Sequence, residues 1–205
     1  MAATRDNLVT RLPARMTRRR SDLALICVLA LVCLGVLAGC GKSSNKPGET
    51  VPEGLSTPLD GLRYTVFLTR QLNLASDEDR GYLPGHKEAP PGKGLYGVFL
   101  EACNKSDKAA IASSNFYIED AQGNQFQPQS LPQDNPFAFH GGNVPPQNCE
   151  PRRGSLAQQG PTSGALLLFN LPLANTENRP LTLHIVGPFK SGSNSQQQAK
   201  VTLDI

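Results

Sequence analysis

Past Cys40 no stretch of the chain sustains a 3.6-residue apolar period, so an α-helical core is out of reach. Short runs alternate apolar and polar residues instead, and most of the chain's 19 glycines and 17 prolines punctuate them. Residues 63–72, RYTVFLTRQL, put Tyr64, Val66, Leu68 and Leu72 on one face and Thr65, Thr69 and Gln71 on the other. Residues 95–103, LYGVFLEAC, hold Tyr96, Val98, Leu100 and Ala102 in register. Leu95, Phe99 and Cys103 lie opposite, so both faces are partly apolar, as in a central sandwich strand. Further strands are predicted over 116–120, 125–127, 165–169, 181–186 and 199–205, with turn chemistry at 104–107 and 120–124. Residues 73–93 read as a polar loop, and 128–154, rich in Pro, Gly and Asn, hold no regular period. About seven or eight short strands over 59–205 predict an all-β sandwich.

The start of the chain has different chemistry. Residues 23–39, LALICVLALVCLGVLAG, carry no charge, and Arg18-Arg19-Arg20 stand before them. A basic stretch followed by a short apolar run makes a secretory signal. A permanent span is the competing reading, but it needs about 20 apolar residues. Leu37-Ala38-Gly39-Cys40 resembles the bacterial lipobox, a Leu and two small residues before an obligate Cys. The resemblance implies cleavage before Cys40 and acylation of its thiol. Two acyl chains anchor stably where one does not. Met16 is a second candidate start, which would make 1–15 an over-extension. Arg19-Arg20 invites a twin-arginine reading that Asp22 weakens. Gly41-Lys42-Ser43 is no phosphate loop, because Val36 stands where that motif needs a Gly.

Charge follows the same division. Of 20 basic and 17 acidic residues, Arg5, Arg11, Arg15, Arg18, Arg19 and Arg20 precede residue 40 against only Asp6 and Asp22. The remainder is close to neutral. A nucleic-acid-binding body with clustered Lys and Arg is therefore excluded.

Cys27 and Cys33 would leave with the signal, which leaves Cys103 and Cys149 in the exported part. An even pair outside the cytoplasm predicts a disulfide, closing a loop of about 46 residues worth ~4 kcal/mol. Two free thiols are the alternative. No metal is expected, since His86, His140 and His184 stand at no ligand spacing from a Cys or from each other. No other cofactor is indicated. Residues 40–58, rich in Gly, Ser, Pro and charge, read as the lipidated Cys and a flexible tether.

From residue 60 onward the chain resembles the telokin-like, immunoglobulin-like domain of unknown function found on bacterial surface lipoproteins. It is likewise similar to a secreted mycobacterial immunoprotective antigen. The matching pieces run in order: Tyr64-Thr65-Val66, Tyr96-Gly97-Val98-Phe99-Leu100 into Asn104-Lys105-Ser106-Asp107-Lys108, and Phe116-Tyr117-Ile118-Glu119-Asp120 with Gly123. Gln159-Gly160-Pro161, Gly164 into Leu167-Leu168-Phe169-Asn170-Leu171-Pro172, and Leu181-Thr182-Leu183 complete them. The resemblance implies an immunoglobulin-like sandwich at the cell surface and supplies no catalytic residues. The loops 73–93 and 128–154 depart from it.

Few side chains suggest chemistry. Asp77-Glu78-Asp79 reads as a solvated loop, with a weak Ca²⁺ site second. His140 has no Gly-x-Ser-x-Gly elbow to serve, so an enzyme is not expected. Phe137, Phe139 and His140 read first as a loop packed on the sandwich end and second as a partner-binding surface. His184 alternates out of phase with Leu181, Leu183 and Ile185 and reads as outward-facing. Asn104-Lys105-Ser106 fits the N-glycosylation pattern by accident. The expected whole is a lipid-anchored protein on the extracytoplasmic face of the cell membrane. It would bind an envelope protein, glycan or small ligand through sandwich-end loops at 73–90 and 128–154. A structural or antigenic lipoprotein without a ligand is the alternative.

Overall fold

Alternation at period two becomes strands, and the strands form two facing sheets. The computed structural model describes residues 48–189 and 196–205, all within one unit, Asn45–Ile205. The signal segment 1–39, Cys40 and the beginning of the tether lie outside the described residues.

One sheet contains β2 (Ser56–Leu59), β3 (Leu62–Leu72), β4 (Lys93–Asn104) and β10 (Ala165–Pro172), in the order β10-β4-β3-β2. The short β9 (Cys149–Glu150) pairs with β4 at Ala102 and Cys103, past the end of β10. The other sheet runs β1-β12-β11-β6-β7, built from β1 (Thr50–Pro52), β12 (Gln198–Leu203), β11 (Leu181–Val186), β6 (Asn115–Glu119) and β7 (Gln125–Phe126). A two-stranded ribbon joins β5 (Ala110–Ala112) to β8 (Gly142–Val144). This is immunoglobulin-like order. β3, β4 and β10 stand as A, B and E, β6, β11 and β12 as C, F and G, and β7 as C′. β1 lies parallel to β12. The D position outside β10 holds only two isolated bridges, Gln129 to Leu168 and Ala138 to Leu166.

The strand ends correct three expectations. Residues 50–52 and 56–58 belong to the sheets, not to a flexible tether, because Val51 and Thr57 are buried. Residues 128–154 are not without pairing, since they contribute β8 and β9. The strand count rises above eight because these short pieces pair with edges that a sequence pattern does not reveal.

β3 contains a bulge between Val66 and Leu68. The extra residue reverses the alternation. Tyr64 and Val66 face the inter-sheet core, whereas Leu72 joins a second cluster on the outer face. Leu68 stays 38% exposed. The expectation that all four share one face is thereby corrected.

That second cluster explains why both faces of β4 are apolar. Tyr96, Val98, Leu100 and Ala102 fill the space between the sheets. Leu95 and Phe99 pack outward against Leu166, Leu168, Tyr82 and Leu83. Tyr82 ends α1 (Asp77–Tyr82), a helix within the segment read as a polar loop. Its acidic first turn follows Ser76, in keeping with helix N-terminal preferences. Asp79 is buried rather than solvated: Arg70 Nη2 lies 2.6 Å from its Oδ1 and the Asn73 amide donates to Oδ2 at 2.7 Å. Burial opposes ionisation of Asp79, but the bonds from Arg70 and Asn73 prevail and hold its carboxyl below the usual range. The Arg70 guanidinium also lies 5.8 Å from the Phe99 ring centre. These contacts clamp α1 onto the sheet.

The two sheets are tied by polar contacts as well. The Tyr64 hydroxyl accepts from the Ser113 amide at 2.8 Å, and burial pushes its phenol up to about 12. His184 points away from the inter-sheet core, as its alternation says, but it is 4% exposed. Tyr117 on the paired strand stacks over it at 4.4 Å. Burial lowers its pKa, with Glu119 opposing.

Asp120 organises the far end. Its carboxylate accepts from the Gln122 and Asn124 amides and from the side chains of Asn124, Asn175 and Asn178. Burial works against its ionisation, yet these amide donors outweigh it and hold the carboxyl far below the usual range. A depressed folded pKa gives stability that is complete above the unfolded carboxylate value of about 3.9 and drains as pH falls through the folded one. The melting temperature of Asp120→Asn is therefore expected to lie furthest below that of the unaltered protein near neutral pH. The gap should narrow as pH falls below about 4. Parallel thermal melts across pH check this, and a gap constant with pH contradicts it.

Candidate functional site

The open side of the sandwich, between the edges of β6 and β10, is where loop residues gather. β7 covers β6 only at Ile118 and Glu119 and then ends. The chain crosses to the outer edge of β10, where Gln129 donates its amide to Leu168 O at 2.7 Å. It returns at 137–139: Leu166 donates to Phe137 O at 2.6 Å, and Phe139 donates to Leu166 O at 2.9 Å. Asn135 fixes this strap, donating from Nδ2 to Tyr82 O at 2.9 Å and accepting from the Phe137 amide. Gly141 ends it with φ +67°, and a Cβ there would meet Ser113 O at 2.7 Å, so only glycine fits.

Between β6 and the strap lies a cleft of about 420 Å³. Its apolar lining includes Phe116, Leu131, Phe139, Leu166 and Leu167. Its polar lining includes Asn115, Gln127, Gln129, Ser130, Gln133 and His140. Apart from His140, no ionisable side chain lines it. Gln129 Oε1 contacts His86 Nε2 at 3.2 Å, which links the strap to the loop after α1.

The sequence-predicted residues separate here. His140 is exposed at the cleft. Phe139 is 8% exposed and packs edge-on against Phe116 at 5.4 Å. Phe137 is half-buried and packs edge-on against Tyr82 at 4.8 Å. The two phenylalanines thus hold the strap to the sandwich, the first of the two roles expected of them, and Phe139 also lines the cleft. The residues the sequence reading passed over are the neutral amides Asn115, Gln127, Gln129 and Gln133. The run Gln125-Phe126-Gln127-Pro128-Gln129 was their one visible signal.

Cys103 and Cys149 form a disulfide between directly opposed residues of β4 and β9, with Cα atoms 4.0 Å apart. The Glu101 carboxylate lies within 4.8 Å of both sulfurs. With the sulfurs bonded to each other, this trio offers no thiolate ligands. Asn104 is fully buried, and its Nδ2 donates to Lys108 O and Val144 O, so its amide is committed to the fold. Among the described residues His140 makes no hydrogen bond to Ser114 or Ser130, the hydroxyls of the cleft. Burial pushes the nearby Glu150 carboxyl up, with the charge of His140 opposing. No described helix is long and apolar enough to cross a membrane.

No protein-family profile and no curated protein matches the sequence. Solved structures do. The chain is similar to the yjhA protein of Bacillus subtilis, with TM-score 0.50 and 14% identity over 76% of this chain and 100% of that one. It is more distantly similar to ycdA of the same species, provisionally assigned as a lipoprotein (TM-score 0.46, 10% identity, 76% of this chain and 39% of that one). An uncharacterized β-sandwich protein of Clostridium difficile 630 gives TM-score 0.41 and 13% identity over 80% of this chain and 99% of that one. At such identities the likeness concerns the fold alone. The class defined is a β-sandwich of unestablished function.

Proposed function

We propose that this protein is a membrane-anchored lipoprotein of the cell envelope, held by acylated Cys40, whose sandwich acts as a non-catalytic binding module. The telokin-like resemblance and the lipobox at 37–40 support the anchoring. The cleft between β6 and β10 carries the binding reading: it is concave, apolar at its floor and ringed by uncharged hydrogen-bonding groups. The partner is an envelope component reached from a tether fixed to the membrane.

Photo-cross-linking in intact membranes tests this. A photoreactive residue at Gln133, exposed at the cleft, is expected to capture a defined species. The same residue at exposed Lys108 is expected not to. Equal labelling from both positions, or none from either, contradicts the reading.

A further inference from the structure

The outer face of β4 brings three metal-ligating groups together. Glu101 and Cys103 stand two residues apart on the strand, so their side chains leave the same face. Cys149 on β9 is directly opposite Cys103. The Glu101 carboxylate and both sulfurs lie within 4.8 Å of one another. Ligands held ~2.0–2.3 Å from a tetrahedral ion stand ~3.5–3.8 Å apart, so side-chain rotation alone brings this trio to ligand spacing. The strands have ties besides the disulfide. Asn104 donates its amide to Asn148 O at 2.8 Å and its Nδ2 to Val144 O at 3.0 Å, and Gln147 Nε2 donates to Lys105 O at 2.9 Å. These bonds keep Cys149 opposite Cys103 when the sulfurs part. A cavity of about 170 Å³, lined by Glu101 with Phe67, Pro151 and Ser163, gives the carboxylate a route to solvent.

We propose that reduction of the Cys103–Cys149 bond turns this trio into a binding site for Zn²⁺, with Glu101 as the third ligand and a water in the fourth position. A dithiol supplies two electrons and two protons to the S–S bond and becomes a disulfide itself. The two thiols then release their protons to solvent as the ion binds, because the thiolate is the ligand. Two sulfurs exclude a hard cation, which takes oxygen ligands. The carboxylate tilts the set from Cu⁺, which prefers soft sulfur, to Zn²⁺. Two thiolates and a carboxylate around a divalent ion leave one net negative charge. Lys105 and Arg153 lie near enough for their charges to act on Glu101, so that charge meets cations. The ion spans the same separation of 46 residues that the disulfide closes, and so takes over the cross-link. The site is remote from the cleft's lining and does not depend on what the cleft binds.

The test uses the protein extracted from membranes into detergent, reduced with a phosphine, desalted without air and titrated with Cd²⁺ or Co²⁺ alone. The expected result is a thiolate-to-metal charge-transfer band that saturates at one ion per chain and is displaced by Zn²⁺. The oxidised protein should give no band. Glu101→Gln should weaken Cd²⁺ binding about tenfold or more, since even an outer-shell partner of a ligand is worth that much. Saturating Cd²⁺ should raise the urea midpoint of the reduced protein, because an ion held only by the folded state stabilises it. The midpoint of Cys103→Ser/Cys149→Ser should not move. No band from the reduced protein, the same band from the double serine variant, or an affinity unaltered by Glu101→Gln each overturn the proposal. A band without a rise in midpoint overturns it too, because the ion would then sit equally well on thiols of the unfolded chain.

Discussion

Phe99→Ala is expected to cost about 3–5 kcal/mol in unfolding free energy, the range for emptying a large aromatic site in a core. Phe99 is fully buried on the outer face of β4. Its ring meets Tyr82 edge-on at 5.2 Å, the Arg70 guanidinium lies beside it, and Leu95, Leu166 and Leu168 share its cluster. Removing it takes away one of the main supports of α1, although Tyr82 keeps Phe137 and the rest of its cluster and Asp79 still binds Arg70. Urea denaturation should show a lower midpoint, and hydrogen exchange should show α1 opening first. A loss below about 1 kcal/mol would mean that the second cluster collapses over the void at little cost, contrary to close core packing. The strap would loosen along with α1, because Asn135 holds the Tyr82 carbonyl and Phe137 packs on its ring. The cleft is therefore expected to be sensitive to a substitution that does not touch it.

Breaking the Cys103–Cys149 bond is expected to cost ~4 kcal/mol on the chain-entropy model. The bond closes a separation of 46 residues. β5, β6, β7, the strap and β8 all lie within that loop. The expected result is a large fall in the urea midpoint of Cys103→Ser/Cys149→Ser, matched by the unaltered protein under reductant. The Phe116 resonances of the folded variant should stay in place, because neither cysteine lines the cleft. An unchanged midpoint would show that the two thiols stay unpaired in solution.

The long strands were legible because alternation at period two survives wherever one face is buried. β11 and β12 follow that rule, β4 and β10 read instead as short apolar runs because both of their faces are buried, and the cysteine pair was legible as the two cysteines left after the expected signal. The bulge at Phe67 was not legible, since one inserted residue moves Leu72 to the other face without disturbing the composition. α1 was missed for a different reason. Six residues make less than two turns, too short for a helical period to emerge, and Asp77-Glu78-Asp79 looked like solvated charge. Asp79 becomes buried only because Arg70, on β3, meets it. The covering of His184 by Tyr117 depends on a cross-strand register that no single strand encodes. The cleft was half visible: residues of the loop 128–154, Phe139 and His140 among them, line it together with Gln127, Gln129 and Gln133, whose neutral amides carry no pattern of their own. Apolar rings in a loop are most stable when they find a core, which is where Phe137 and Phe139 go.

The claim on which the physiology depends is attachment at Cys40. Intact-mass and peptide mass spectrometry of the protein extracted from membranes measures it directly. The expected result is a chain that begins at Cys40 and carries a thioether-linked diacylglyceryl group. A chain that retains residues 23–39 with an unmodified Cys40 thiol would contradict it.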